Sequence, residues 1–270
     1  MLAFPVDIAC DAKVEPRKSG RLGVRNAFNF GIIYTISKGS FSFGNGNVEC
    51  CEEKEKRRVG ISGQKSPYSA AFTGCGFMLD EMLALLPLIL APDAEERLKS
   101  EISGNKLLFV GKTKTRDRMV TEFRRRFKSV SRTFWDWFQS LPRESQPGAL
   151  FFVLLKTYYF LLDIQLKVVL PLSRSAFNRI SKSDVMMRLN DIAAADDFVE
   201  SWSDQTKDRV CSGVLSFLRS AGMLGDDDVI CPLKLRDEDF AHFIAIGEGW
   251  FLEAALLQPF EIERIKGCLA

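Results

Sequence analysis

Between Lys112 and Arg132 the chain carries nine basic residues and two acidic ones, Asp117 and Glu122. Solvated helix faces usually interleave both signs, whereas a ridge of one sign repels itself and invites an anionic partner. Lys112-Thr113-Lys114-Thr115 leads into a predicted helix from about Arg116 to Phe138. Met119, Val120, Phe123, Phe127, Val130 and Phe134 recur at three and four and give that helix one apolar face. Opposite lie Arg118, Arg125 and Arg132, seven apart, with Arg124 and Lys128 beside them. The chemistry on offer is neutralisation of phosphate. Lys112, Lys114, Arg118, Arg124, Arg125, Lys128 and Arg132 are the candidate contacts to a DNA backbone. A solvated helix face accounts for the same residues without any partner, and both readings stand at this point.

A second group is Ser203, Gln205, Thr206, Lys207 and Arg209, at the start of a predicted helix from about Asp204 to Ser220. Shorter helices precede it, from Asp184 to Asn190 and from Ile192 to Val199, and Gly222 caps its end. Gly225-Asp226-Asp227-Asp228 then turns into the short apolar run Val229-Ile230-Cys231. That order is the order of a winged helix-turn-helix, with Gly225 to Leu235 as the wing and the long helix as the reader of a groove. Charge speaks against a strong major-groove reader. Asp204, Asp208 and Asp226 to Asp228 repel phosphate, and only Lys207, Arg209 and Arg219 offset them.

Covalent and metal chemistry have little to work with. The single histidine, His242, is too few for an imidazole-based triad or for most metal sites, and reads as a half-buried or surface helix residue. No GxxxxGK[ST], GxGxxG or GxSxG pattern occurs. The pairs Asp80/Glu81 and Asp196/Asp197 sit where solvent explains them. The expectation is a binding or assembly protein with no catalytic residues, no metal and no cofactor.

The element that must position these groups is the apolar stretch from Ala149 to Leu170, closed by Pro171. Its charges, Lys156, Asp163 and Lys167, are seven and four apart and predict one wet edge on an otherwise buried helix. The length would just span a membrane, but three central charges would cost roughly 2.5–3.5 kcal/mol each. A core helix is the better reading, with no membrane span. Trp135 and Trp137, closing the basic helix, are expected in the core. Helices are also predicted from Phe77 to Pro87, from Pro92 to Ser103, and from Asp237 to Leu257.

Net charge is only +2, with 22 Phe available for a core. Seven scattered cysteines, Cys50 and Cys51 adjacent, fit reduced thiols, and with no signal peptide at Met1 to Ala12 they point to the cytoplasm. Residues 1–65 show no sustained period, although Phe28 to Ile36 could form a short strand. They are either a poorly ordered extension or a gene start set too far upstream. Residues 66–172 are expected as a helical domain with the basic helix and the core helix. A polar connection from Ser173 to Ser183 opens a winged-helix-like domain over 173–270.

Ser66-Pro67-Tyr68-Ser69-Ala70-Ala71-Phe72-Thr73-Gly74-Cys75-Gly76-Phe77-Met78-Leu79-Asp80-Glu81 resembles the opening of the BrxA family. Asn105-Lys106-Leu107-Leu108, Leu155-Lys156-Thr157-Tyr158, and Trp202-Ser203 with Thr206, Lys207 and the Ala221-Gly222-Met223-Leu224 ending are similar to it in the same order, over about residues 66 to 230. These are small proteins of bacterial phage-exclusion (BREX) systems, once labelled inner-membrane proteins. The resemblance implies a mostly helical protein, with one part like the antitermination factor NusB and another like a winged helix. It also implies DNA binding without catalysis and work alongside other BREX components; the expected nucleic-acid partner is double-stranded DNA, bound with low sequence specificity. The basic ridge matches the family in character more than in identity, and residues 1–65 lie outside its pattern. Two other readings remain: a protein-interaction scaffold that touches no nucleic acid, and an RNA-binding protein of the NusB kind.

Overall fold

The structure, a computed structural model, describes residues 35–37, 40–42 and 66–267. The chain divides into two units, Met1–Glu52 and Glu53–Ala270. In the first, β1 (Thr35–Ser37) and β2 (Ser40–Ser42) pair antiparallel, with Ile36 opposite Phe41. The expectations for the rest of residues 1–65 lie outside the described residues.

In the second unit, a short 3₁₀ turn at Ala71–Gly74 leads into α1 (Leu79–Ile89), which runs two residues past Pro87. Next, α2 (Ala94–Gly104) carries Glu95 and Glu96 in its first turn and stops at Asn105 in the left-handed conformation. The basic segment forms two helices, not the single one predicted: α3 (Thr113–Phe127) and α4 (Arg132–Ser140). Ser131 makes the break, its extended backbone letting the side chain accept from Phe134 N–H as an N-cap.

The apolar stretch is likewise broken. After α5 (Gln146–Thr157), Tyr158 is extended (φ −123°, ψ 103°) and α6 (Tyr159–Ile164) departs at 110°. Thr157 Oγ1 back-bonds Val153 O at 2.6 Å, and Tyr158 is drawn sideways into a buried polar cluster. The predicted common face of Lys156, Asp163 and Lys167 is lost with the bend. Lys156 pairs with Glu248 at 2.6 Å, Asp163 takes the Arg188 fork at 2.7 and 2.8 Å, and Lys167 is exposed. Nor does Pro171 end the helix. A π turn at Gln165–Val169 carries it into α7 (Leu170–Ser173), absorbing the N–H that proline lacks.

The remaining helices are α8 (Lys182–Ala193), α9 (Asp197–Glu200), α10 (Asp204–Ser220), α11 (Asp237–Ala245), α12 (Trp250–Ala254) and α13 (Pro259–Gly267). A capping box between Ser181 and Asp184 starts α8 earlier than predicted. Positive φ at Gly247 separates α11 from α12, where one helix was predicted.

The core is aromatic. Phe134, Phe152, Phe243 and Phe251 are 1 % exposed or less, and Phe152 and Phe251 each lie within 5.1 Å of Phe243 or of one another by ring centroid. Trp135 is fully buried. Trp137 is half-buried and stacks on His242 at 4.0 Å. The predicted domain junction near residue 172 falls inside the second unit, and core contacts cross it. Phe72 meets Phe217, and Gln165 donates to Ala254 O at 2.5 Å. Among the described residues no single helix is long and apolar enough to cross a membrane.

Candidate nucleic-acid interface

Of the nine basic residues between Lys112 and Arg132, two are buried and structural. Arg126 is fully buried. Its guanidinium donates to Gly76 O and Phe77 O, both at 2.6 Å, and to Tyr158 Oη at 3.1 Å. Tyr158 in turn donates to the buried Glu122. Burial, with the Glu122 carboxylate beside it, pushes the Tyr158 hydroxyl well above the usual phenol range. Arg116, 5 % exposed, donates to Ile102 O at 2.6 Å, Val110 O at 2.5 Å and Gly111 O at 3.3 Å. Both arginines are in phase with the apolar face of α3, at 116, 119/120, 123 and 126/127, which is the signal that marks them as buried and that the basic block conceals.

The other basic side chains divide by partner. Arg124 donates to Glu95 at 2.6 Å and Arg132 to Leu90 O at 2.8 Å. Arg132 belongs to α4, so the predicted row of Arg118, Arg125 and Arg132 is not one helix face. Arg118 packs against the backbone of Gly74, where an added Cβ would collide with its guanidinium. What α3 and its C-cap do present is a strip at spacings of four, three, four and three: Lys114, Arg118, Thr121, Arg125 and Lys128, all exposed. Among the described residues only Arg125 of its four cations has an ion pair, with Glu122 at 3.4 Å. The strip extends for roughly 20 Å at helical rise. Lys112, exposed at the N-cap, continues it, and no acidic residue occupies the first turn of α3.

Arg125 also lines an open cleft of ≈ 600 Å³ with Ser66, Pro67, Tyr68, Ser69, Thr157, Tyr158 and Phe198. Burial foremost, then Asp163, pushes the Tyr68 hydroxyl up to about 12, so it stays a neutral donor. Phe198, 53 % exposed, belongs to α9. The cleft therefore joins the strip to the segment that leads into α10.

At the start of α10 the five predicted residues are together but mostly engaged. Ser203 is the N-cap, accepting from Thr206 N–H at 3.3 Å, and the two hydroxyls lie 3.0 Å apart. Lys207 pairs with Glu200 at 3.4 Å. Gln205 and Arg209 are exposed with no side-chain partner among the described residues. Beyond α10, Leu224 bridges Ile230 and Arg179 bridges Val229, both antiparallel. Asp227 and Asp228 take positive φ at the tip, paired with Arg179 and Arg219. Among the described residues no group of three or more His, Cys, Asp or Glu is placed to hold a metal ion.

Fold and site together define a mostly helical chain whose candidate site is an exposed, one-sign cationic strip beside a small aromatic cleft. The BrxA family profile matches residues 66–247, and the chain belongs to the BrxA family, components of BREX phage-defence systems. No curated protein matches the sequence. Among solved structures it is similar in fold to an uncharacterized protein from Magnetospirillum magneticum, at 18 % identity and TM-score 0.61, covering 70 % of this chain and 98 % of that one.

Proposed function

We propose that this protein is a non-catalytic, cytoplasmic component of its BREX system that binds double-stranded DNA through the phosphate backbone. The observation that carries the reading is the α3 strip of Lys114, Arg118, Arg125 and Lys128, exposed and bordered by few acids. Phosphate contacts position a protein without reading sequence, so specificity is low. The segment from α8 to the Leu224–Ile230 bridge supports a winged-helix shape: helix, turn, longer helix, then a bridged loop. Gln205 and Arg209 are the groups there with capacity for DNA, while the acidic tip keeps that unit a minor contributor. The part-likeness to NusB belongs to the helices before residue 172 and remains an expectation of the family. Other BREX components are its protein partners.

The test is competition on the full chain, with random-sequence duplex DNA against RNA duplex of matched length. Preference for DNA supports the proposal. Preference for RNA turns it to the NusB-like reading. Co-purification of a partner protein at low salt with no nucleic-acid binding turns it to the scaffold.

A further inference from the structure

Two aromatic side chains among the described residues are exposed to 80 % or more, and one of them, Phe109, sits on a loop built to hold it there. The loop runs between α2 and α3. The stretch from Ile102 to Thr115, the loop with its adjoining helix ends, carries three lysines, Lys106, Lys112 and Lys114, and no acidic residue. All three lysines are exposed, with no ion pair among the described residues. Beneath it, the buried carboxylate of Glu101 accepts from the N–H groups of Lys106, Leu107 and Leu108 at 3.1, 2.9 and 3.0 Å. Asn105 Oδ1 accepts from Val110 N–H at 2.9 Å. The Arg116 guanidinium pins the carbonyls of Ile102, Val110 and Gly111 from the other side.

Phe109 itself has φ 51°, a left-handed conformation that a bulky aromatic residue rarely adopts. Strain of that kind persists only where the surroundings over-determine it, and it gathers at functional positions. Here a buried anion and a buried cation fix the backbone and leave a ring in water. Leu107, 40 % exposed, stands beside it.

We infer that this loop is a rigid wedge for duplex DNA, with Phe109 against the bases at a step and Lys106, Lys112 and Lys114 on the flanking phosphates. Apolar side chains inserted at base steps, with cations around them, are how many groove-binding proteins kink a duplex. The charge of the loop complements phosphate, and Lys112 and Lys114 continue into the α3 strip. A membrane surface also attracts lysine and phenylalanine, but docking there scales with buried apolar area, and Leu107 and Phe109 offer little. The inference rests on the DNA-binding reading above.

The experiment uses the full chain with Phe109→Ala, Phe109→Asn and Phe109→Trp. Asn accepts left-handed backbone readily, so it removes the ring while easing the strain. Both truncations are expected to weaken duplex binding about tenfold, the scale of one lost base–aromatic contact, with the salt dependence unchanged because no charge is lost. Energy transfer between dyes at the duplex ends should rise on binding the natural protein, reporting a bend, and not on binding Phe109→Asn. Phe109→Trp should bind as the natural protein does, with its added indole emission altered by DNA. Truncations that bind and bend DNA like the natural protein would overturn the wedge while leaving backbone binding intact. So would an added emission, in Phe109→Trp, that responds to phosphatidylserine vesicles and not to duplex. Absence of duplex binding by the natural protein would remove the DNA reading itself.

Discussion

Arg126 shows how one residue ties three segments. Its guanidinium holds the backbone at Gly76 and Phe77, touches Tyr158 at the α5–α6 break, and lies on α3 beside Glu122. Replacing it by Met would leave Glu122 without its buried cation and three acceptors with weakened or missing donors. A loss of about 3–5 kcal/mol is expected, read as a lower urea midpoint. His242 gives a second, milder effect. It is half-buried and stacked on Trp137, and burial holds its pKa below the usual imidazole value, with Asp239 opposing. The folded protein therefore takes up this proton less readily than the unfolded chain. The stability at stake is fully present above the unfolded value, near about 6.5, and declines as pH falls below it towards the depressed folded value. Unfolding midpoints in urea should drop between pH 7.5 and pH 5, and the drop should shrink in His242→Phe. Sequence placed His242 on a helix, half-buried or at its surface, and the fold half-buries it. Sequence missed the burial of Arg116 and Arg126, because a basic block reads as surface unless each member is checked against the helix phase.

Elements were legible where one signal dominated. The α2 limits follow from Asp93 and Asn105, and α10 follows closely from Ser203 and Gly222. Besides the helix broken at Gly247, two long helices were each predicted as continuous and proved broken. In both cases the apolar period runs on across the break, and a local hydrogen bond decides against it: Ser131 capping α4, and the Thr157 and Tyr158 side chains turning the chain before α6. Period alone cannot register such a competitor. Ser131→Ala should cost about 1 kcal/mol of stability by denaturant titration, the usual worth of an N-cap. It should leave DNA affinity nearly unchanged, since the exposed strip lies wholly on α3 and its C-cap. The broken helix also bears on the membrane question. The apolar stretch, bent by 110°, pairs two of its three charges, Lys156 and Asp163, with Glu248 and Arg188 within the fold and leaves Lys167 exposed.

At the scale of the molecule the formal net charge is only +2, so the function proposed depends on where charge lies. Much of the surface is neutralised in pairs, including Lys182 with Asp208, Arg219 with Asp228 and Arg264 with Asp237. The α3 strip is the contrast: Lys114, Arg118 and Lys128 carry no ion pair among the described residues. The most direct test is a salt titration of duplex binding by the full chain and by a variant with Lys114, Arg118, Arg125 and Lys128 all changed to Ala. The natural protein should lose affinity steeply between about 50 and about 200 mM salt, and the variant's log–log slope should be shallower by about 3 to 4. Equal slopes, in two proteins shown to be equally folded, would contradict the assignment of the strip to phosphate.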